Sequence, residues 1–133
     1  MDSNLNFILV DDDGINNTLC RAVITKVFEG ANVKAFQIPE EALAYIQDNY
    51  ASKEDFFTTL FLDINMPSMT GWEFIEEFNK FPDKIKKQFT IYMLSSSVDN
   101  KDMERAGKNN LIKCYISKPL KRETLKVLLL GEG

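Results

Sequence analysis

The stretch Thr59-Leu60-Phe61-Leu62-Asp63-Ile64-Asn65-Met66-Pro67-Ser68-Met69-Thr70-Gly71-Trp72-Glu73 reads in order as strand, acid, turn and helix. Thr59 to Leu62 is a short run without the polar alternation of a half-solvated strand, so both of its faces are buried. Asp63 follows directly. Pro67 and Gly71 punctuate a turn. From Trp72 a helix is predicted to about Phe81, with Phe74, Ile75 and Phe78 inward and Glu73, Glu76 and Glu77 outward. A strand buried on both faces that passes by a turn into an amphipathic helix is the unit of a parallel sheet covered by helices.

The same unit recurs on either side. Upstream, Phe7–Val10 is a strand candidate, followed by a helix from Ile15 to Phe28 whose predicted inward stripe is Ile15, Leu19, Ala22, Val23 and Val27. Gly30 punctuates, Val33–Phe36 is a second strand, and Pro39 opens a helix to about Asn49 with Leu43 and Ile46 inward. A polar connector, Asp48 to Asp55, leads back to the opening stretch. Downstream, Thr90–Leu94 is a strand and Asp99 to about Asn109 a weak polar helix with Met103 and Ala106 inward. Cys114–Ile116 is a short strand, and Leu120–Leu130 a final helix with Leu125, Leu128 and Leu129 inward. Strand and helix alternate strictly through five units. Right-handed crossovers then make a doubly wound, three-layer α/β sandwich around a five-stranded parallel sheet.

Length and composition set the limits. At 133 residues and 44% hydrophobic the chain builds one core, hence one domain, expected over residues 6–130 with no output domain. Sixteen basic residues against 20 acidic give a net charge of −4, which argues against direct nucleic-acid or membrane-surface binding. The cluster Lys80, Lys84, Lys86 and Lys87 therefore reads as a solvated loop. Histidine is absent, which excludes Ser-His-Asp and Cys-His catalysis and histidine metal sites. Cys20 and Cys114 form no C-x-x-C and read as core or near-core thiols, not redox centres. Trp72, Phe74 and Phe78 read as helix packing. Phe7–Val10 is too short for a secretory or membrane-spanning segment, so the expected location is the cytoplasm.

In open α/β sheets, ligands bind beyond the carboxyl ends of the strands. Asp11, Asp12 and Asp13 follow the first strand, Asp63 ends the third, Ser95 to Ser97 end the fourth and Lys118 follows the fifth. Singly, each has an ordinary explanation: helix caps, a turn residue, a loop, a surface lysine. Together, crowded carboxylates repel one another, and an oxygen-liganded divalent cation such as Mg²⁺ removes the conflict. A lysine adds a second positive point for a phosphate. The set Asp11, Asp12, Asp63, Ser95 and Lys118 makes a site for a phosphoryl group on or near Asp63. Asp13 reads as a first-turn cap of the first helix.

With these residues in hand, the chain closely resembles the receiver domain of two-component response regulators, of the stand-alone chemotaxis-regulator type. The resemblance rests on Ile8-Leu9-Val10-Asp11-Asp12-Asp13, on Leu60 to Pro67 continued by Met69-Thr70-Gly71-Trp72-Glu73, on Tyr92-Met93-Leu94-Ser95-Ser96, and on Tyr115-Ile116-Ser117-Lys118-Pro119. It implies a flavodoxin-like sheet of order 2-1-3-4-5 and a phosphoacceptor switch. Asp63 would take a phosphoryl group from a phosphohistidine. Asp12 would bind Mg²⁺ (or Mn²⁺) directly and Asp11 help position it, with the Asn65 backbone carbonyl a further ligand. Ser95 would hydrogen-bond the phosphoryl group and Lys118 pair with one of its oxygens. The resemblance further implies a cis Lys118-Pro119 bond and Tyr115 as an aromatic switch coupled to Ser95. The implied partners are a sensor histidine kinase or a histidine phosphotransfer protein and a downstream protein target met around Tyr115 and the last two helices. Ser95 stands where Thr is commoner in the family.

Two other readings compete. Asp11-Asp12-Asp13-Gly14 satisfies the Asp-x-Asp-Gly pattern of haloacid-dehalogenase-type phosphatases, with Asp11 as nucleophile, but Ile15 departs from it and the Asp63-to-Gly71 run goes unexplained. A degenerate receiver serving only as a docking module is opposed by the intact set of Asp11, Asp12, Asp63, Ser95 and Lys118. The leading expectation is not a turnover enzyme but a protein that catalyses only its own phosphorylation and dephosphorylation.

Overall fold

A computed structural model describes residues 5–97 and 99–131; Glu132 and Gly133, which carry no reading from the sequence, lie outside the described residues. The elements alternate as β1 (Asn6–Val10), α1 (Gly14–Val27), β2 (Asn32–Phe36), α2 (Pro39–Tyr50), β3 (Thr58–Asp63), α3 (Gly71–Asn79), α4 (Asp83–Lys86), β4 (Phe89–Ser95), α5 (Asn100–Gly107), β5 (Ile112–Ser117) and α6 (Arg122–Leu130). All strand pairs are parallel, and the sheet order is β2-β1-β3-β4-β5. This is the doubly wound order expected from the sequence.

Alternate residues of each strand serve opposite faces. Ile8, Val10, Leu60, Leu62, Ile91 and Met93 pack with Ala42 and Ile46 of α2 and Phe74 and Phe78 of α3. Phe7, Leu9, Phe61, Tyr92 and Leu94 pack with Cys20 and Ile24 of α1 and Leu125 of α6. On this second face Phe7, Phe61 and Tyr92 stack across three adjacent strands, with ring centroids 6.4 and 5.5 Å apart.

Register positions the site. Val10 pairs with Leu62, Asp63 with Leu94, and Ser95 with Ser117. Asp11, Asp63, Ser95 and Lys118 therefore reach the same edge of the sheet from four strands.

Three sequence expectations are corrected. The inward face of α1 is Asn17, Cys20 and Ile24, whereas Ile15 is 74% and Leu19 54% exposed and Ala22 faces solvent. The cause is polar: the Asn17 side-chain amide donates to the carbonyls of Asp11 (2.9 Å) and Phe36 (3.4 Å), which draws an asparagine into the interior and rotates the helix about it. Val23 and Val27 remain partly buried. On α5 only Ala106 of the expected pair turns inward; Met103 is 44% exposed. Asp102, one turn before Ala106, is held toward α3, which turns Met103 outward. The lysine-rich stretch is not a loop but includes the short helix α4, whose Ile85 is buried.

Gln88, just beyond α4, is buried and ties three segments together. It accepts from the Phe56 N–H at 2.9 Å and donates to the carbonyls of Lys84 (3.0 Å) and Tyr50 (3.3 Å). The predicted inward residues of α3, and Leu125 of α6, are buried.

Candidate functional site

Asp11 sits one residue past β1 and is buried. Its Oδ1 accepts from the Asp13 N–H at 2.9 Å. Its Oδ2 accepts from the Asn16 side-chain amide and from Lys118 Nζ, each at 2.7 Å. Lys118 Nζ also lies 3.0 Å from Asp63 Oδ1, so one ammonium bridges two buried carboxylates. Asp12 is exposed, and its backbone carbonyl accepts from the Gln37 side chain at 3.2 Å. Carboxylate oxygens of Asp11, Asp12 and Asp63 all lie within 4.8 Å of one another. Asp13 stands apart from this cluster as the N-cap of α1, accepting from the N–H groups of Ile15 and Asn16.

Charge explains the geometry. Burial raises the Asp63 carboxyl from 3.8 to about 6; Asp11 and Asp12 push the same way, and Lys118 offsets only part. For Lys118 burial pulls downward, but its bonds to Asp11 and Asp63 outweigh it, and the ammonium titrates above its ordinary range. Three carboxylates thus face one ammonium. Such an all-oxygen, acid-rich donor set suits a hard divalent cation, and Lys118 already occupies the place where added positive charge is favoured. Cys20, beneath Asp11, has its thiol raised by burial to about 11 and stays protonated and unreactive.

Ser95 is buried at the end of β4, and its hydroxyl accepts from the Ser97 N–H at 3.3 Å. The Ser95 carbonyl accepts from the Lys118 N–H at 2.8 Å, which ties the fourth strand to the lysine. Tyr115, half-buried on β5, donates its hydroxyl to the Ser97 carbonyl at 3.0 Å. The Lys118-Pro119 bond is cis. Asn65 is exposed in the turn after Asp63.

Other residues build the site without standing out in the sequence. Asn16 and Asn17 grip Asp11 by its side chain and its carbonyl; a polar pair at five and six residues past the acid is the signal that could have found them. Gly71 donates its N–H to the Ile64 carbonyl at 2.7 Å, and a Cβ there would lie 2.7 Å from the Asp63 carbonyl oxygen. Only glycine allows α3 to start so close to the acid. Thr70 and Glu73 then close a capping box on the first turn of α3.

Fold and site together define a doubly wound α/β protein with a cation-ready carboxylate pocket at the carboxyl edge of its sheet. The family model for the response regulator receiver domain matches residues 7–130, and the chain belongs to that family. Receiver domains are the phosphoacceptor modules of two-component signalling, and the buried acidic cluster lies at the sheet edge where such a module works.

Among curated proteins the chain is similar to stress response regulator protein 1 of Scheffersomyces stipitis, 32% identical over 77 residues, covering 58% of this chain and 25% of that protein. The protein of the same name from Debaryomyces hansenii is 29% identical over 104 residues, covering 77% of this chain and 40% of that protein. The chain thus spans well under half the length of these relatives. Among solved structures, a two component response regulator from Cytophaga hutchinsonii superposes with a TM-score of 0.86 at 28% identity, covering 98% of this chain and 100% of that one. A response regulator receiver protein from Dyadobacter fermentans gives 0.85 at 28%, covering 96% of each chain. No helix among the described residues is long and apolar enough to cross a membrane.

Proposed function

We propose that Asp63 is the phosphoacceptor of this receiver, charged by a phosphohistidine on a sensor histidine kinase or a histidine phosphotransfer protein. The observation that carries this reading is Lys118 Nζ lying between Asp11 (2.7 Å) and Asp63 (3.0 Å) within the three-carboxylate cluster. A carboxylate oxygen of Asp63 attacks phosphorus. The O–P bond forms as the P–N bond breaks, and the electron pair leaves with the imidazole nitrogen. With its carboxyl raised only to about 6, Asp63 is still largely ionised, hence nucleophilic, at neutral pH. Lys118 holds the incoming phosphoryl oxygens by charge, and Ser95 offers a hydroxyl from the neighbouring strand.

Asp11, Asp12, Asp63 and the Asn65 backbone carbonyl would hold Mg²⁺ or Mn²⁺, which supplies positive charge for the phosphoryl oxygens. Ser95 and Tyr115 form the switch, because both contact the Ser97 segment that leads into α5. Signalling then passes to a protein target through that face. The chain acts on itself alone, forming and hydrolysing its own acyl phosphate, and works in the cytoplasm. A protein phosphodonor is favoured by the exposed Ile15 and Leu19, which line a surface cavity together with Asp12 and Asp13. An apolar patch beside a charged pocket suits a partner helix that delivers a phosphohistidine.

The test is intact mass after incubation with Mg²⁺ and acetyl phosphate, wild type beside Asp63→Ala. One added phosphoryl group, absent from the variant and absent in chelator, is expected. An adduct that survives Asp63→Ala, or none on folded wild type, would overturn the reading.

A further inference from the structure

Trp72 is the chain's only tryptophan, and α5 holds it on two sides. Its indole Nε1–H donates to Asp102 Oδ1 at 3.0 Å, and the Arg105 guanidinium carbon lies 4.4 Å from the ring centroid. An edge hydrogen bond and a cation over the face fix both the position and the tilt of the ring.

The other side of Trp72 is equally constrained. It follows Gly71, whose N–H is bonded to Ile64 and whose missing Cβ leaves no slack against the Asp63 carbonyl. The Thr70–Glu73 capping box holds the same turn. A continuous chain of contacts therefore runs from the Asp63 backbone through Gly71 and Trp72 to α5. It is separate from the route through Ser95, Ser97 and Tyr115, which enters α5 from its preceding loop. Among the described residues of α5 only Ala106 is buried and Met103 is 44% exposed, so beyond its packing on β5 the Trp72 contacts are its side-chain anchor to α3.

We propose that Trp72 is a positioning residue that clamps α5, through Asp102 and Arg105, in the arrangement seen here, and that phosphorylation of Asp63 works against this clamp. The inference rests on Asp63 being the phosphoacceptor. A displacement of α5 must break the indole–carboxylate bond and lift the guanidinium off the ring. That cost subtracts from the affinity of the site for a phosphoryl group, because a ligand shifts an equilibrium only by its differential affinity for the two arrangements. Loosening the clamp should therefore tighten binding at Asp63, although Asp102 bonds to Trp72 and not to the carboxylates of the pocket.

The experiment titrates the full chain with beryllofluoride in Mg²⁺, followed by amide NMR, for wild type, Trp72→Phe, Asp102→Ala and Arg105→Ala. Trp72 emission is followed in parallel for all but the first variant. Each variant is expected to bind beryllofluoride about threefold to tenfold more tightly than wild type, the population equivalent of one net hydrogen bond. Wild-type emission should shift on saturation, while the emission of Asp102→Ala starts displaced and shifts less. A role in packing alone would lower the melting temperature and leave these affinities unchanged, and that result, or weaker binding by the variants, overturns the clamp. A wild type that binds no beryllofluoride overturns the phosphoacceptor reading itself, a separate outcome.

Discussion

Asp63→Asn removes a charge and nearly preserves a shape, so it isolates what the fold does to that carboxylate. Asp63 is buried, and its carboxyl titrates at about 6 instead of 3.8, chiefly through burial and then through Asp11 and Asp12. Between those values the folded chain keeps a proton that the unfolded chain has lost. Stability contributed by this group is therefore present at low pH and lost as pH rises through the window. Above it the ionised group costs the metal-free fold about 3 kcal/mol relative to its neutral form. Asparagine avoids that cost but places an amide NH₂ where an oxygen stood, so a gain of about 1–3 kcal/mol is expected at neutral pH. For a domain of this size that is roughly 3–5 °C in melting temperature per kcal/mol. Thermal melts by circular dichroism in chelator, from acid to neutral pH, measure it. Below about pH 4 the variant should be level with wild type or up to about 2 kcal/mol less stable, and its advantage should rise with pH to a plateau above about pH 7. Mg²⁺ should raise the wild type and narrow the gap. A variant no more stable than wild type at neutral pH, or an advantage that does not change with pH, would refute the electrostatic reasoning.

Gly71→Ala sets a Cβ 2.7 Å from the Asp63 carbonyl oxygen and 3.0 Å from Ile64 Cα, both backbone atoms, so it should cost about 2–4 kcal/mol in urea unfolding. Gln88→Leu strands the Phe56 N–H, removes the Gln88 donor from the Lys84 carbonyl and leaves the Tyr50 carbonyl with the Lys53 N–H, and a loss of about 1–3 kcal/mol is expected by the same assay, with the acetyl phosphate adduct still formed. Ile15→Asp, on an exposed side chain, should change stability by about 0.5 kcal/mol or less and leave acetyl phosphate labelling intact. Its transfer rate from a phosphorylated histidine phosphotransfer protein should fall about fivefold or more, read by the appearance of the mass adduct.

The strand ends were legible because a strand buried on both faces leaves few places for an acid, and Asp11 and Asp63 stand at the first of them. Parallel topology then carries Lys118 to Asp11 across 107 positions, a pairing that no local pattern contains. Asp13 was legible as a cap because an acid just before a helix has a specific backbone partner. The phase of α1 was not legible. Hydropathy counts Asn17 as outward, whereas two strand-end carbonyls need its amide inside. That error hid the apolar patch of Ile15 and Leu19, which the hydropathic stripe places inside and the observed phase of α1 leaves exposed. The pairing of Trp72 with Asp102 and Arg105 was equally hidden, because it depends on how α3 and α5 lie beside each other and not on either helix's own periodicity.

The magnitudes connect the site to the helix. The fold disfavours the metal-free Asp63 charge by about 3 kcal/mol, a cost that a bound divalent cation relieves in part. A net hydrogen bond such as Trp72 to Asp102 is worth about 1 kcal/mol, and the stacked Arg105 adds a similar amount at most. A phosphoryl group on Asp63 carries about two negative charges where the carboxylate carried one, so the energy set against the clamp comes from its new bonds to Lys118, Ser95 and a divalent cation, each charge-assisted hydrogen bond worth about 1.5–3 kcal/mol. On the proposed clamp those bonds are large enough to offset the Trp72–Asp102 and Arg105 contacts, yet not so large that loosening the contacts goes unnoticed, which is why the variants' beryllofluoride affinities should differ measurably from wild type.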